Sequence, residues 1–101
     1  MWARVSKFMV PENKIDEDIN GVKALFEEQS DKIPGFKGVY YLIDRAEGEA
    51  VAVTLWDDRK ALEESEEKAA ENRRRSAEKT GEKTLAVKNY EVVFSSIKNP
   101  D

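Results

Sequence analysis

The chain has 101 residues, of which 38% are charged and 40% are apolar, and its net charge is −4. This composition predicts one folded domain over residues 1–101 and excludes a disordered chain. The acidic balance disfavours nucleic-acid binding, and no apolar run reaches the ~20 residues of a membrane span. Arg4 and Lys7 interrupt the apolar N-terminal stretch, which is unlike a signal peptide, so we expect a cytoplasmic location.

Cysteine and histidine are both absent from the chain. Their absence excludes disulfides and thiolate chemistry, and it removes the commonest general base and the commonest metal ligand. A run of glutamates in the second half (Glu63, Glu66 and Glu67) imitates a carboxylate metal site, but such runs are usually solvated surface. We therefore expect no metal and no cofactor.

The first half of the chain predicts a strand, a helix and a second strand. The stretch "WARVSKFMV" (residues 2–10) is typical of a strand, and Pro11 ends it. Apolar residues then recur at helical spacing as far as the next Pro-Gly pair, with Asn13 as the predicted N-cap. The second strand is "FKGVYYLID" (residues 36–44).

The second half predicts a hairpin, a long helix and a last strand. The loop "DRAEG" leads into the third strand, "AVAVTLW" (residues 50–56). One continuous helix then runs from an N-cap at Asp57 or Asp58 to a stop at Gly81. The fourth strand is "TLAVKNYEVVFSSI" (residues 84–97). The order β-α-β-β-α-β predicts an α+β, ferredoxin-like fold: an antiparallel four-stranded sheet with its helices on one face.

The predicted strands lack the apolar–polar alternation of a sheet that has one face in water. In the third strand neither face carries a charge: Val51, Val53 and Leu55 share one, and Trp56 and Ala52 share the other. Because an uncovered apolar sheet would expose roughly several hundred Å², we predict a homodimer in which two sheets pack face to face.

Alternation also assigns faces in the second strand. It places Phe36 and Tyr40 on the same face and Tyr41 on the opposite one. Val53 and Tyr41 are the positions at which we expect an introduced aspartate to split the dimer.

Three segments resemble the dimeric α+β-barrel proteins of the antibiotic biosynthesis monooxygenase superfamily: "IPGFKGVYYLID", "AVAVTLWDDRKALEESEEKAAENRRR" and "VKNYEVVF". The resemblance covers nearly the whole chain, and the "PGF" before the second strand and the "LW"-acid step into the helix are its most specific parts. It implies pairing into a dimeric α+β barrel. It also implies one of several roles, among them cofactor-free oxygenation of quinols or polycyclic aromatics, haem degradation, and roles that are unknown.

Residue by residue, the resemblance is incomplete. Trp56 matches the strand-end tryptophan of the aromatic monooxygenases, but Ala52 stands where they have asparagine and Leu62 where they have tyrosine. Arg74 and Arg75 lie near the position of their arginine. The histidine that the haem-degrading branch needs on its helix is missing. The sequence thus leaves two functions: a cofactor-independent monooxygenase acting on a quinol or polycyclic aromatic, or a non-catalytic homodimeric module that binds a small apolar ligand or a partner protein.

The resemblance implies that the Trp56 face of the third strand lies toward the second helix. Small residues would then face one another, namely Ala50, Ala52 and Thr54 against Ala61, Ser65, Ala69 and Ser76. They let the helix approach the sheet closely, with Trp56 filling the remaining space, or they leave a pocket with Trp56 as one wall for a flat apolar ligand. The pocket candidates are Trp56, Ala52, Tyr40, Ser65, Asn89 and Arg75. The sequence names no catalytic residue.

Overall fold

A computed structural model describes residues 1–98. The strands are β1 (Trp2–Met9), β2 (Phe36–Asp44), β3 (Glu49–Trp56) and β4 (Lys83–Glu91), and the helices are α1 (Ile15–Gln29), α2 (Arg59–Glu64) and α3 (Glu66–Thr80). All neighbouring strands are antiparallel, in the order β2-β3-β1-β4. The helices pack on one face of this sheet. The predicted ferredoxin-like α+β fold is therefore confirmed.

The first helix begins later than predicted. Residues 12–14 form a 3-10 turn in which the amide of Lys14 donates to the carbonyl of Pro11 at 2.8 Å. Lys14 then occupies the N-cap of α1 without a side-chain cap, so the prediction of Asn13 as N-cap is wrong. Asp16 and Asp18 in the first turn lie where negative charge favours a helix N-terminus.

The second predicted helix is two helices that meet at Ser65. The amide of Ser65 bonds to the carbonyls of Ala61 and Leu62, and its hydroxyl donates to the Leu62 carbonyl at 2.7 Å. The guanidinium of Arg4 donates to that same carbonyl at 2.9 Å. Side chains that occupy a carbonyl of the helical ladder are a known cause of helix breaks. The prediction of one continuous helix is therefore wrong.

The fourth strand ends at Glu91, six residues earlier than predicted. Its only neighbour is β1, and Glu91 already pairs with Trp2, the first residue of β1. One more bond follows, from the amide of Val92 to the carbonyl of Met1 at 2.9 Å. Residues 92–98 have no regular structure because β1 offers them nothing to pair with.

The predicted junctions around the second half are confirmed. The carboxylate of Asp58 accepts from the amide of Ala61 at 2.8 Å and is the N-cap of α2, while Gly81 ends α3 with φ +80°. Gly35 in "PGF" has φ +75°, and a Cβ there would lie 2.4 Å from the Cβ of Ala61. Glycine thus lets the start of β2 lie directly against α2, next to Trp56.

A bulge between Phe36 and Gly38 changes the faces assigned to β2. The ring of Phe36 lies on the helix side, 5.4 Å from those of Phe26 and Trp56, whereas Tyr40 lies on the open side. Tyr41 also faces the helices, where its hydroxyl donates to Asp18. Phe36 and Tyr40 are therefore on opposite faces, and the prediction that Tyr41 belongs to the sheet–sheet interface is wrong.

The open face of the sheet is mostly apolar, although Lys7 of β1 and Lys88 of β4 also lie on it. Strand register places its apolar residues together: Tyr40, Leu42, Val51, Val53, Leu55 and Tyr90. The core lies on the other side. It is formed by Phe8, Val10, Ile15 and Ala50, with partly buried neighbours packed against them.

Candidate functional site: a cavity between the helices and the sheet

A cavity of about 460 Å³ lies between the helical layer and the sheet. Its apolar lining comes from the sheet, α1 and the segment after α1, and includes Phe8, Val22, Leu25, Phe26, Ile33, Pro34 and Trp56. The small side chains Ala61, Ser65, Ala69 and Ser76 of α2 and α3 face it as well. Because these side chains are short, the helices leave space above the middle of the sheet. A volume of this size accommodates a small organic ligand.

Three of the six predicted pocket residues line this cavity: Trp56, Ala52 and Ser65. The other three lie elsewhere. Tyr40 is on the open face of the sheet and is 47% exposed. Asn89 donates to the carboxylate of Glu66 at 3.3 Å, and Arg75 is held on the outside of α3 by Glu71 at 2.7 Å. The strand bulge and the helix break decided these positions.

Trp56 is packed and also forms part of the cavity wall. Its side chain is 3% exposed, and its indole N–H donates to the hydroxyl of Thr54 at 3.0 Å. The ring meets Phe36 edge to face, and the guanidinium of Arg4 lies 5.5 Å from its centroid. The sequence left two alternatives, a Trp56 that fills the space and a Trp56 that forms one wall of a pocket. They are compatible, because most of the ring is packed and one side of it faces the cavity.

Arg4 is a buried cation that lines the cavity, and it is 3% exposed. Its Nη2 donates to the Leu62 carbonyl, to the Ser65 hydroxyl at 2.9 Å and to the Glu66 carboxylate at 3.1 Å. Its Nε is buried without a hydrogen-bond partner within residues 1–98. Arg4 thus joins β1 to the break between α2 and α3, with one donor unsatisfied.

Arg73 of α3 lines the same cavity. Burial lowers the pKa of Arg73, the positive charge of Arg4 lowers it further, and Glu66 opposes both effects. Two guanidinium groups are therefore held close together with one nearby carboxylate. The family resemblance pointed to Arg74 or Arg75, but within the arginine run 73–75 it is Arg73 that reaches the cavity. Arg74 instead pairs with Glu78 on the surface at 2.7 Å.

A cluster of acidic groups lies elsewhere along the cavity. Asp18 of α1 is 2% exposed and accepts a hydrogen bond from Tyr41 of β2. The carboxyl of Glu82, which precedes β4 and is also buried, forms a hydrogen bond with the Asp18 carboxyl. Burial, the hydrogen bond and the charge of Asp18 together raise the pKa of Glu82 to about 8. Burial and Asp18 likewise raise the pKa of Tyr41. Near neutral pH, Glu82 is thus protonated beside the Asp18 carboxyl.

This cluster predicts a pH-dependent stability. Between the pKa of Glu82 in the unfolded chain, about 4.3, and its folded value, the native state holds a proton that the unfolded state has released. Stability therefore falls as the pH rises from about 4.5 through the folded pKa of about 8. Glu82→Gln cannot ionise. We expect its free energy of unfolding, relative to the wild type, to rise by roughly 2–4 kcal/mol between pH 4 and pH 8.5, since one pKa unit corresponds to about 1.4 kcal/mol.

Urea denaturation across this pH range measures the effect. Glu91→Gln, an exposed carboxylate in β4, is the matched control and should show no such trend. Parallel curves for wild type and Glu82→Gln would contradict the burial of a protonated Glu82.

Sequence reasoning missed Arg4, Asp18 and Glu82, whereas Arg73 is one of the run of three arginines from which it expected a donor. A signal existed for Arg4, because alternation along β1 places it on the same face as Trp2, Ser6 and Phe8. No comparable signal linked the acidic cluster. Asp18, Tyr41 and Glu82 lie on three separate elements, and only the tertiary structure brings them into contact.

Residues 1–98 contain neither a cluster of metal-ligand side chains nor a membrane-spanning helix. No group of three or more acidic side chains in this range lies close enough to hold a metal ion. No helix in this part of the chain is both long and apolar enough to cross a membrane.

Known proteins resemble this chain in structure. No family model matches the sequence, and no curated protein matches it. Several solved structures share the fold. A monooxygenase of Streptomyces coelicolor from the gene ActVA-Orf6, in complex with Nanaomycin D, is 15% identical and has a TM-score of 0.71, with 97% of this chain and 92% of that chain covered.

Two other similar structures have different described activities. SnoaB, a cofactor-independent oxygenase from Streptomyces nogalater, is 14% identical with a TM-score of 0.66, covering 93% of this chain and 94% of its own. The haem-degrader MhuD from Mycobacterium tuberculosis, with two haems in its active site, is 20% identical with a TM-score of 0.64, covering 95% and 99%. The chain therefore shares its fold with these two oxygenases and with the haem-degrader. One fold hosts several activities, so the site must decide between them.

Proposed function

We propose that the protein is a cofactor-independent monooxygenase that acts on a quinol or a polycyclic phenol. The observation that carries this proposal is the cavity of about 460 Å³ with Trp56 as a wall and buried Arg4 in its lining. Apolar walls suit a flat aromatic ring, and a buried cation favours an anionic ligand. The cytoplasmic location predicted from the sequence is part of this proposal.

The proposed chemistry needs only the substrate and dioxygen. In its keto tautomer the substrate has a ring carbon that carries two hydrogens. This carbon loses a proton, and the resulting carbanion transfers electrons to dioxygen as a C–O bond forms. The peroxide takes up a proton and loses water, so that one CH₂ group and one O₂ give one C=O group and one H₂O. Glu82 lines the cavity, and its pKa of about 8 suits it to donate the proton that the peroxide takes up.

Haem does not fit this cavity. The chain contains no histidine and no cysteine to ligate the iron. Tyrosine is a third possible ligand, but the Tyr41 hydroxyl donates to Asp18, and its raised pKa disfavours the phenolate that would bind iron. We therefore expect no regiospecific cleavage of haem under a reductant.

Oxygen uptake with a hydroxyanthrone and with a hydroquinone tests the proposal, in buffer that contains a metal chelator. We expect saturable uptake above the spontaneous rate, with one ¹⁸O atom from ¹⁸O₂ in each new carbonyl. Ala52→Leu should reduce turnover at least ~10-fold, because the added side chain occupies the cavity. Ala24→Leu, on the exposed surface of α1, is the control and should retain turnover. Uptake equal to that of buffer alone would refute the proposal.

A non-catalytic binding module is the second candidate. It is favoured by Ala52 and Leu62, which stand where the aromatic monooxygenases have polar residues. Leu62 is fully buried and is not part of the cavity lining. Saturable binding of the same compounds without oxygen uptake would support this alternative.

We also propose that two copies of the chain pair through their open sheet faces. Most residues of this face are apolar, among them Tyr40 and Leu42, which are 47% and 51% exposed in the single chain. Lys7 of β1 and Lys88 of β4 lie on the same face and are charged. A monomer seldom leaves such a surface in water. A second copy covers it with an identical apolar surface, as an isologous dimer does.

A further inference from the structure

We propose that the cavity selects a planar aromatic carboxylate and holds its carboxylate group between Arg4 and Arg73. This inference rests on the proposed function in that it names the ligand class of the same cavity. It concerns a permanent negative charge on the ligand, and not the oxygen or carbon at which chemistry occurs.

The first observation is the pair of guanidinium groups. Arg73 lies close enough to Arg4 for the two positive charges to repel each other across a partly desolvated space. Within the described part of the chain, Glu66 is the carboxylate that pairs with Arg4, and Arg73 forms no ion pair. One positive charge at this end of the cavity is thus left without a partner. A bound carboxylate would supply it, and guanidinium groups are well suited to carboxylates.

The second observation is the unsatisfied Nε of Arg4. The other hydrogen bonds of this guanidinium all leave from Nη2, so two of its five N–H groups serve every hydrogen bond that it forms within residues 1–98. A buried donor without a partner costs free energy, and such groups call for a specific explanation. A buried guanidinium with a free donor beside a cavity is suited to bind a ligand that has acceptor oxygens.

The third observation is the charge of the cavity as a whole. The protein has a net charge of −4, yet the cavity lining contains four cations (Arg4, Lys32, Lys68 and Arg73) and only two acids (Glu64 and Glu82). Glu64 is already paired with Lys60 at 3.9 Å. The cavity is therefore a positive region on an acidic protein, which attracts anionic ligands.

The acidic cluster fixes the orientation of such a ligand. Arg4 in β1 lies opposite Asn89 in β4. Glu82 comes just before the other end of β4, where Lys83 lies opposite Met9 of β1. Met9 is five residues after Arg4, which corresponds to about 17 Å of strand. The carboxyl groups of Asp18 and Glu82 lie at that end and disfavour a further carboxylate there. The ligand therefore binds with its carboxylate toward Arg4.

Isothermal titration with three naphthalene probes tests this inference: 3-hydroxy-2-naphthoate, its uncharged carboxamide and 2-naphthol. We expect the naphthoate to bind at least ~10-fold more tightly than the carboxamide, which has the same shape. Arg73→Gln should weaken naphthoate binding about 10-fold, leave carboxamide binding unchanged and cost little stability, while Arg73→Lys should restore part of the loss. Arg74→Gln, one residue away but paired on the surface with Glu78, is the control and should have no effect.

Equal affinity for naphthoate and carboxamide would overturn the inference, as would an equal loss in Arg73→Gln and Arg74→Gln or the absence of binding by all three probes. The result of the oxygen-uptake assay is independent of this binding test. Carboxylate-selective binding without oxygen uptake supports the anion subsite and contradicts the monooxygenase. Oxygen uptake without a preference for carboxylates does the reverse.

Discussion

Replacing Leu42 with aspartate is expected to convert the dimer into monomers that remain folded. Leu42 is 51% exposed on the open face of the single chain, so a charge there meets water in a monomer. In a dimer formed through this face the same charge is buried without a partner. We expect the dimer to be weakened by at least ~3 kcal/mol, since an unpaired buried charge typically costs 3–5 kcal/mol.

Sedimentation velocity at micromolar concentration measures the change, and circular dichroism checks that the variant is folded. Ala24→Asp places the same charge on the exposed surface of α1 and should remain a dimer. Leu42→Asp separates assembly from folding better than a charge at Tyr41, which contacts Asp18 on the helix side. A wild-type protein that sediments as a monomer would refute the proposed assembly.

Trp56→Ala is expected to destabilise the folded protein by about 3–5 kcal/mol, as other large-to-small substitutions of buried aromatic residues do. The ring is almost fully buried, packs against Phe36 and Arg4, and donates to Thr54. Its removal deletes all these contacts and leaves a void that joins the existing cavity. Trp56→Phe keeps an aromatic ring and should cost less, ~1–3 kcal/mol.

Urea denaturation measures both losses. Trp2→Phe is the matched control, because Trp2 is only half-buried and its ring lies 5.4 Å from the exposed Arg59. We expect it to cost less than ~1 kcal/mol. In that background, emission from Trp56 should respond saturably to a flat apolar ligand, and Ala52→Leu should abolish the response. A loss below 0.5 kcal/mol in Trp56→Ala would show that the ring is not part of the core, given the ~3 kcal/mol expected.

Local patterns in the sequence determine most of the fold. The strand of residues 50–56, the hairpin before it, the N-cap at Asp58 and the stop at Gly81 are all predictable, because each depends on neighbouring residues alone. The absence of histidine and cysteine limits the possible chemistry whatever fold the chain adopts. Strand alternation is a local property and puts Trp56 on one face with Ala52 and Thr54, and the family resemblance implied that this face lies toward the helices.

Errors arise where a distant residue alters a local pattern. The second helix breaks at Ser65 because Arg4, 61 residues away, donates to its hydroxyl and to the carbonyl of Leu62. The fourth strand stops at Glu91 because β1 offers no further partner. Its own composition favours a longer strand, so only the pairing decides its end.

The charges of the cavity are also decided by the tertiary structure. Arg4 and Arg73 are 69 residues apart in the sequence, and Asp18 and Glu82 are 64 residues apart. Each pair is brought together when the helices pack on the sheet. Burial then changes what these groups do, because removal from water raises the cost of charge and strengthens every remaining electrostatic interaction. The sequence by itself determined the layers and the aromatic wall, whereas the placement of buried charge around an apolar space required the folded chain.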